Sequence, residues 1–256
     1  MIALIVGTIA IQAQIASADE EHVSALVYDF PPYYQLEEDG SYSGLGIELL
    51  RTMSELSPDF EFQIINASPR RRHMIFKDKK VDISLFDQAS WGWSDMNVDH
   101  TSIYMRGGEK YITKKQNGES QETLFDNLKD KRIAAILGYH YLFANFNADP
   151  LFLEENFEIT LVSKQDQIIK MVRSRRVEIG IVTEAFLQRY LARRPFLKDK
   201  LIISDFYDQE YEFVGIRRKD AKISLSTLDR LIAAAMKAED FQLILEVNDI
   251  MTINGN

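Results

Sequence analysis

The sequence predicts an α/β protein with two sheets flanked by helices, and three observations predict it. Short apolar runs bounded by polar or turn residues alternate with amphipathic stretches along the chain, the pattern of strands followed by helices that pack on a sheet. The alternation breaks once, over residues 107–123, where Lys114-Lys115-Gln116-Asn117-Gly118-Glu119-Ser120 is wholly polar, and it restarts at Arg132. A length of 256 residues with 46% hydrophobic composition supplies the material for two cores.

Taken in order, residues 1–18 carry no charge, end in Ala16-Ser17-Ala18 and precede Asp19-Glu20-Glu21. This is the small-x-small site of a signal peptide, although no Lys or Arg leads it. A membrane anchor needs about 20 apolar residues, and Gln12 and Gln14 interrupt the run. No second long apolar run follows, so the mature chain is expected to be exported and soluble. Residues 24–28, 61–65, 81–86, 132–137, 158–162 and 179–182 read as strands. Leu45, Leu49, Met53 and Leu56 form a helical stripe after Gly44. Ser163 with Asp166, and Ser226 with Asp229, read as capping boxes opening two further helices. Residues 109–113, 201–204 and 212–217 read as strands near the boundary between the halves, and two helices close the chain. The alternation points to parallel sheets, and without a long linker the halves should be joined by short strand-like crossovers.

Composition excludes several functions. Lys+Arg 30 against Asp+Glu 39 gives a net charge of −9, which argues against a nucleic-acid partner. The absence of cysteine removes disulfides, thiolate metal sites, Cys nucleophiles and a lipidated Cys. His22, His73, His100 and His140 lack metal-ligand spacing, and there is no P-loop or Gly-x-Ser-x-Gly elbow. No metal or cofactor is expected.

Several motifs, in order, resemble one family. They are Asp29-Phe30-Pro31-Pro32-Tyr33-Tyr34, Asp39-Gly40, Gly44-Leu45-Gly46-Ile47-Glu48-Leu49-Leu50, Lys79-Lys80-Val81-Asp82-Ile83-Ser84, Val98-Asp99-His100-Thr101-Ser102-Ile103-Tyr104, Arg132-Ile133-Ala134 to Gly138-Tyr139, and Arg176-Val177-Glu178-Ile179-Gly180. The series resembles the type 2 periplasmic solute-binding proteins, in the family of polar amino-acid receptors of ABC transporters. That resemblance implies a two-lobed fold joined by two hinge strands. Lobe 1 would be discontinuous (19–110 and 205–256), with 111–204 inserted as lobe 2. It also implies a binding role with no chemistry, a small-molecule ligand, a membrane permease as partner and a monomer in the periplasm.

The same resemblance sets expectations for the ligand. The family's carboxylate-gripping Arg falls at Ser94, its ammonium-accepting Asp at Thr183 beside Glu184, and its Ser/Thr pair at Tyr139-His140. All three depart from the pattern, so a standard α-amino acid is not the ligand these positions imply. Strand carboxyl ends face the cleft in such sheets, which nominates Phe30, Tyr33, Phe86, Asp87, Ser90, Trp91, Tyr139, His140, Thr183 and Glu184. Aromatic faces suit a flat or cationic solute, while an ordinary core would also account for rings at these positions. Asp87 could accept a ligand amine or cap a turn. Ser68-Pro69 opens a helix whose first turn carries Arg70, Arg71 and Arg72, against the helix dipole. A bound anion near Arg71, or a solvated basic face, would each account for this. Alternatives to a transport receptor are a periplasmic sensor and a cleft enzyme such as a dehydratase, for which Asp87, His140 and Glu184 are the candidate acid and base groups.

Overall fold

The computed structural model describes residues 21–115 and 124–247, so the expected signal peptide at 1–18 lies outside the described residues. Eleven strands are described: β1 (Glu21–Val27), β2 (Gln35–Leu36), β3 (Tyr42–Ser43), β4 (Phe60–Asn66), β5 (Ile83–Asp87), β6 (Val98–His100), β7 (Met105–Lys114), β8 (Ile133–Ile136), β9 (Ile159–Val162), β10 (Ile179–Thr183) and β11 (Leu201–Arg218). The α-helices, numbered in chain order, are α1 (Leu45–Leu56), α2 (Arg72–Lys77), α3 (Pro150–Asn156), α4 (Gln165–Arg173), α5 (Glu184–Ala192), α6 (Leu225–Ala235) and α7 (Glu239–Val247).

The strands follow the path β4-β1-β5-β11-β7-β10-β8-β9, with β6 also paired to β11. Two lobes share this path. In one, β1 pairs in parallel with β4 and β5, while Val214–Arg218 at the end of β11 pairs antiparallel with β5 and β6. In the other, β8 pairs in parallel with β9 and β10, and β10 runs antiparallel to β7. The sheets are therefore mixed rather than wholly parallel. The two long strands that pass between the lobes, β7 and β11, run antiparallel to their neighbours.

Both ends of that connection pair with each other. Residues Leu201–Phe213 of β11 pair with β7, with register irregularities between Ile203 and Tyr207 and between Tyr207 and Glu210. The separate strands expected at 201–204 and 212–217 are thus one strand of 18 residues. The polar stretch Asp205 to Glu210 broke the alternation because its backbone stays in the ladder while bulges re-aim its side chains.

Helices cover both lobes. The α1 stripe of Leu45, Leu49, Leu50 and Met53 is buried and packs against α6, α7 and β4. Ile168, Ile169 and Val172 form the buried stripe of α4, which lies on β10, β7 and β8. Both expected capping boxes are shifted. Gln167 Oε1 accepts from Lys164 N at 3.2 Å, one residue beyond Ser163. Ser224, not Ser226, caps α6 by accepting from Thr227 N at 3.1 Å, and Asp229 instead accepts from Ser102 N at 2.7 Å. Long-range packing took that carboxylate from its local role.

Candidate functional site

One cavity sits where the lobes meet, and its walls come from both lobes and both crossing strands. Tyr28 and Phe30 follow β1, Arg72 opens α2 and Trp91 lies in the loop after β5. Glu109 belongs to β7, Gln209 and Tyr211 to β11, and Tyr139 and His140 follow β8. The cavity measures about 10 Å³, room for a single water.

The position of Arg72 follows from helical spacing. Pro69–Arg71 forms one 3-10 turn, and α2 then buries Arg72, Ile75 and Phe76, a stripe at intervals of three and one that marks one helix face. Arg71 lies off this face and is exposed, so the cavity takes Arg72 where the sequence had nominated Arg71. The Arg72 guanidinium donates from Nη1 to Pro69 O and Gly138 O, both at 3.1 Å, and Nη2 lies 2.9 Å from His140 Nδ1. Its Nε is 3.9 Å from Asp87 Oδ2 and has no hydrogen-bond partner.

Asp87 is fully buried, and its role is to support neighbours rather than line the cavity. It accepts from Trp93 Nε1 at 2.8 Å, Ser84 Oγ at 3.1 Å and its neighbour Gln88 N at 3.1 Å. Burial still holds its pKa above the usual carboxylate range, against the lowering effect of Arg72. Phe86 adopts φ +52°, the left-handed region that a bulky residue rarely enters. Its N–H donates to Tyr104 Oη at 2.6 Å, and the turn leaves all of Ile83–Asp87 buried.

Aromatic rings fill the rest of the cleft. Phe30 meets Trp91 (5.9 Å between centroids), Tyr139 (5.3 Å) and Tyr211 (5.8 Å) edge-on. Tyr33 is buried against Phe30 and stacks on Phe86 at 5.0 Å, beside the cavity wall. Gln209 knits the site together. Its Oε1 accepts from Trp91 Nε1 at 3.0 Å, and its Nε2 donates to Glu109 Oε2 at 2.8 Å and to His140 O. Burial, aided by Asp208, raises the Glu109 pKa to about 8. Tyr211 Oη sits beside that carboxyl without hydrogen-bonding geometry. Tyr28 Oη is likewise buried and unpartnered.

The remaining nominated residues lie elsewhere. Ser90 is exposed and accepts from Gln88 Nε2 at 2.7 Å. Thr183 is buried, its N–H and Oγ1 both bonded to the Gln165 amide at 2.8 and 2.9 Å. Glu184 accepts from Tyr207 Oη at 2.7 Å. Tyr28, Arg72, Glu109, Gln209 and Tyr211 were missed. Of these, Arg72 shared the period of Ile75 and Phe76, and Glu109 was the one acid in the segment Met105–Lys114 that became β7.

The lobes are closed on each other. Besides the Arg72 bonds, Tyr139 Oη donates to Asp29 O at 2.9 Å and Gln165 Nε2 to Pro31 O at 3.4 Å. His73, whose Nε2 lies 2.7 Å from Trp91 O, has its ring 5.7 Å from that of His140. Burial and the Arg72 charge hold both histidines neutral, His73 down to about 4 and His140 to about 2.

No family model matches the chain, and no curated protein matches it significantly. Solved structures do. An ABC uptake transporter substrate-binding protein from Streptococcus pneumoniae with bound histidine is 18% identical, with a TM-score of 0.69 over 88% of this chain and 91% of that one. The GluR0 ligand-binding core from Nostoc punctiforme in complex with L-glutamate is 17% identical, with a TM-score of 0.65 over 88% and 97%. The holo ArgBP of T. maritima is 16% identical, with a TM-score of 0.62 over 88% and 95%. At these identities the likeness is one of architecture, and the chain has the two-lobed fold of the solute-binding proteins of amino-acid ABC transporters.

Proposed function

We propose that this chain is an exported receptor that captures a small polar or aromatic solute between its lobes and performs no chemistry on it. One observation carries the reading: three buried polar atoms, Tyr28 Oη, Tyr211 Oη and Arg72 Nε, have no hydrogen-bond partner and belong to residues lining the same interlobe cavity. Such groups cost about 1–3 kcal/mol each when left unpaired, and a polar solute would relieve that cost. The rings of Phe30, Trp91 and Tyr139 would take a flat or cationic part of the molecule, and Arg72 an anionic part.

Entry requires the lobes to part, since the cavity in its closed form holds one water. Parting would break the bonds from Arg72 to Gly138 and His140 and from Tyr139 to Asp29, all of which cross between lobes. The lobes would divide as 19–110 with 205–256, and 111–204, with the movement absorbed in β7 and β11. The fold, shared with solute-binding proteins of ABC transporters, supports a periplasmic receptor that delivers solute to the membrane permease of an ABC-type importer, and the chain would act as a monomer. The signal peptide at 1–18 would direct its export.

Intrinsic fluorescence tests the proposal because, of the chain's only two tryptophans, Trp91 lines the cavity and Trp93 packs on His73 behind it. The mature protein is titrated with amino acids, amines, organic acids and short peptides. A saturable shift for one class, with the compound recovered unchanged, is expected. Turnover of the compound, or silence across the panel with unmoved thermal melting, would contradict the proposal.

A further inference from the structure

A second cavity, of about 50 Å³, lies at another edge of the lobe interface. On one side it meets Pro31 and Pro32 from the loop after β1 and Gln35 at the start of β2. On the other it meets Arg189, Arg193 and Arg194 from the end of α5. At about 10–15 Å³ for each water centre, it has space for a group of several heavy atoms.

None of the three arginines is paired with an acid among the described residues. Arg189 and Arg193 are one helical turn apart and share a face, and Arg194 lies 4.1 Å over the Tyr190 ring. Among the described residues, none of the three guanidiniums forms an ion pair or a side-chain hydrogen bond. Arg189 is half-buried, and both its burial and Arg193 act against its charge. The acids of the neighbourhood are already engaged. Asp166 is bound to Lys170 at 2.6 Å, itself under the field of Arg194, and Asp29 accepts from Leu36 N at 3.2 Å and lies in the field of Lys164. The α5 C-terminus tolerates cations, yet it gives these forks of N–H donors nothing to bind. Arg193 and Arg194 are otherwise exposed to solvent, and the cavity wall carries three positive charges with no acidic residue lining it.

We propose that this cavity is an anion site, separate from the central cleft, for a small oxyanion of two or more charges. Arg189, Arg193 and Arg194 hold the anion in charge-assisted, fork-shaped bonds, and Pro31, Pro32 and Gln35 close over it from the other lobe. Because both lobes form the walls, the bound anion favours the closed form by linkage.

Melting temperature and calorimetry of the full mature chain, with sodium phosphate or citrate against sodium chloride at matched ionic strength, test this. Wild type is expected to show saturable stabilisation and heat by phosphate, citrate or both. A response to phosphate alone assigns a phosphoryl group, and one to citrate alone assigns a polycarboxylate. The affinity should fall by about tenfold or more in Arg189→Gln/Arg193→Gln. Arg193→Gln/Arg194→Gln, at exposed positions, should fold regardless and show the same loss. No response beyond chloride, or a response unchanged in both variants, overturns the proposal. Anion binding at the central cleft falls under the second outcome, since Arg72 is intact in both.

Discussion

Arg72 and Arg71 are chemically identical neighbours with opposite fates, and helix geometry alone separates them. Replacing Arg72 with Met would remove its bonds to Pro69, Gly138 and His140 and leave Asp87 buried without its cation. Breaking a buried charge pair in this way costs about 3–5 kcal/mol. Arg71→Ala, at an exposed position, should stay within about 0.5 kcal/mol of wild type. Urea denaturation of the two variants checks the contrast, and equal losses would contradict the assigned helix face. The sequence signalled an anomalous run of arginines, but choosing among them required the 3.6 period set by Ile75 and Phe76. Tyr28 gave no such signal, since its ring reads as ordinary core until the fold places it in the wall of the cavity that Tyr211 also lines.

Titration belongs to the same scale. Glu109 has a folded pKa raised to about 8 from 4.5, so its stabilising contribution is full below 4.5 and is lost as pH rises through 8. Burial pushes Asp29, Asp87 and Asp208 in the same direction. His73 and His140 are lowered from 6.5 to about 4 and about 2, so their contribution is full above 6.5 and lost as pH falls. The two effects oppose each other between 4.5 and 6.5, and above 6.5 the carboxyl effect stands alone. Tm should therefore decline from about pH 6.5 to about pH 8.5, and Glu109→Gln should flatten the decline. A Tm that rises over this interval would contradict the buried, protonated state of Glu109.

At the scale of elements, the strands and helices with clear period were legible and their connections were not. The stripe of α1 and the apolar runs of β1, β5, β8 and β10 were placed to within a few residues because burial on a sheet demands that pattern. β11 was split because Asp208 and Gln209 are buried for polar reasons: Asp208 accepts from Tyr111 Oη at 2.5 Å and Leu142 N at 2.9 Å. Hydropathy cannot register a strand whose side chains are drawn inward by hydrogen bonds. The turn after β8 is another element set by long-range contact. Gly138 has φ +87°, and a Cβ there would lie 2.8 Å from the Arg70 backbone nitrogen in the facing lobe. Gly138→Ala would bear left-handed strain in any state and this clash only when the lobes meet. Small-angle scattering should report a larger radius of gyration for the variant, and an unchanged radius would contradict the closed contact.

For the whole molecule, the two-lobed plan was legible because one polar break divided two strand-helix series. The cleft chemistry was less so, because its walls come from six separated segments that only the fold brings together. Closure of the lobes hides the three unpartnered atoms and, on the proposed function, is what would hold a captured solute. The Tyr28 and Tyr211 hydroxyls make the test sharp, because their removal should act in opposite directions on folding and on binding. Removing the buried unpaired hydroxyl of Tyr28 should stabilise the protein by about 1 kcal/mol, and removing that of Tyr211, beside Glu109, by less, while a solute that relies on those hydroxyls should lose affinity. Calorimetric titration of the compound that shifts the fluorescence, into wild type and Tyr28→Phe/Tyr211→Phe, is the most direct measurement of the central claim. The account predicts one solute per chain and affinity weakened by about tenfold or more in a variant that melts no lower than wild type. Unchanged affinity in that stable variant would place the solute elsewhere and contradict the interlobe site.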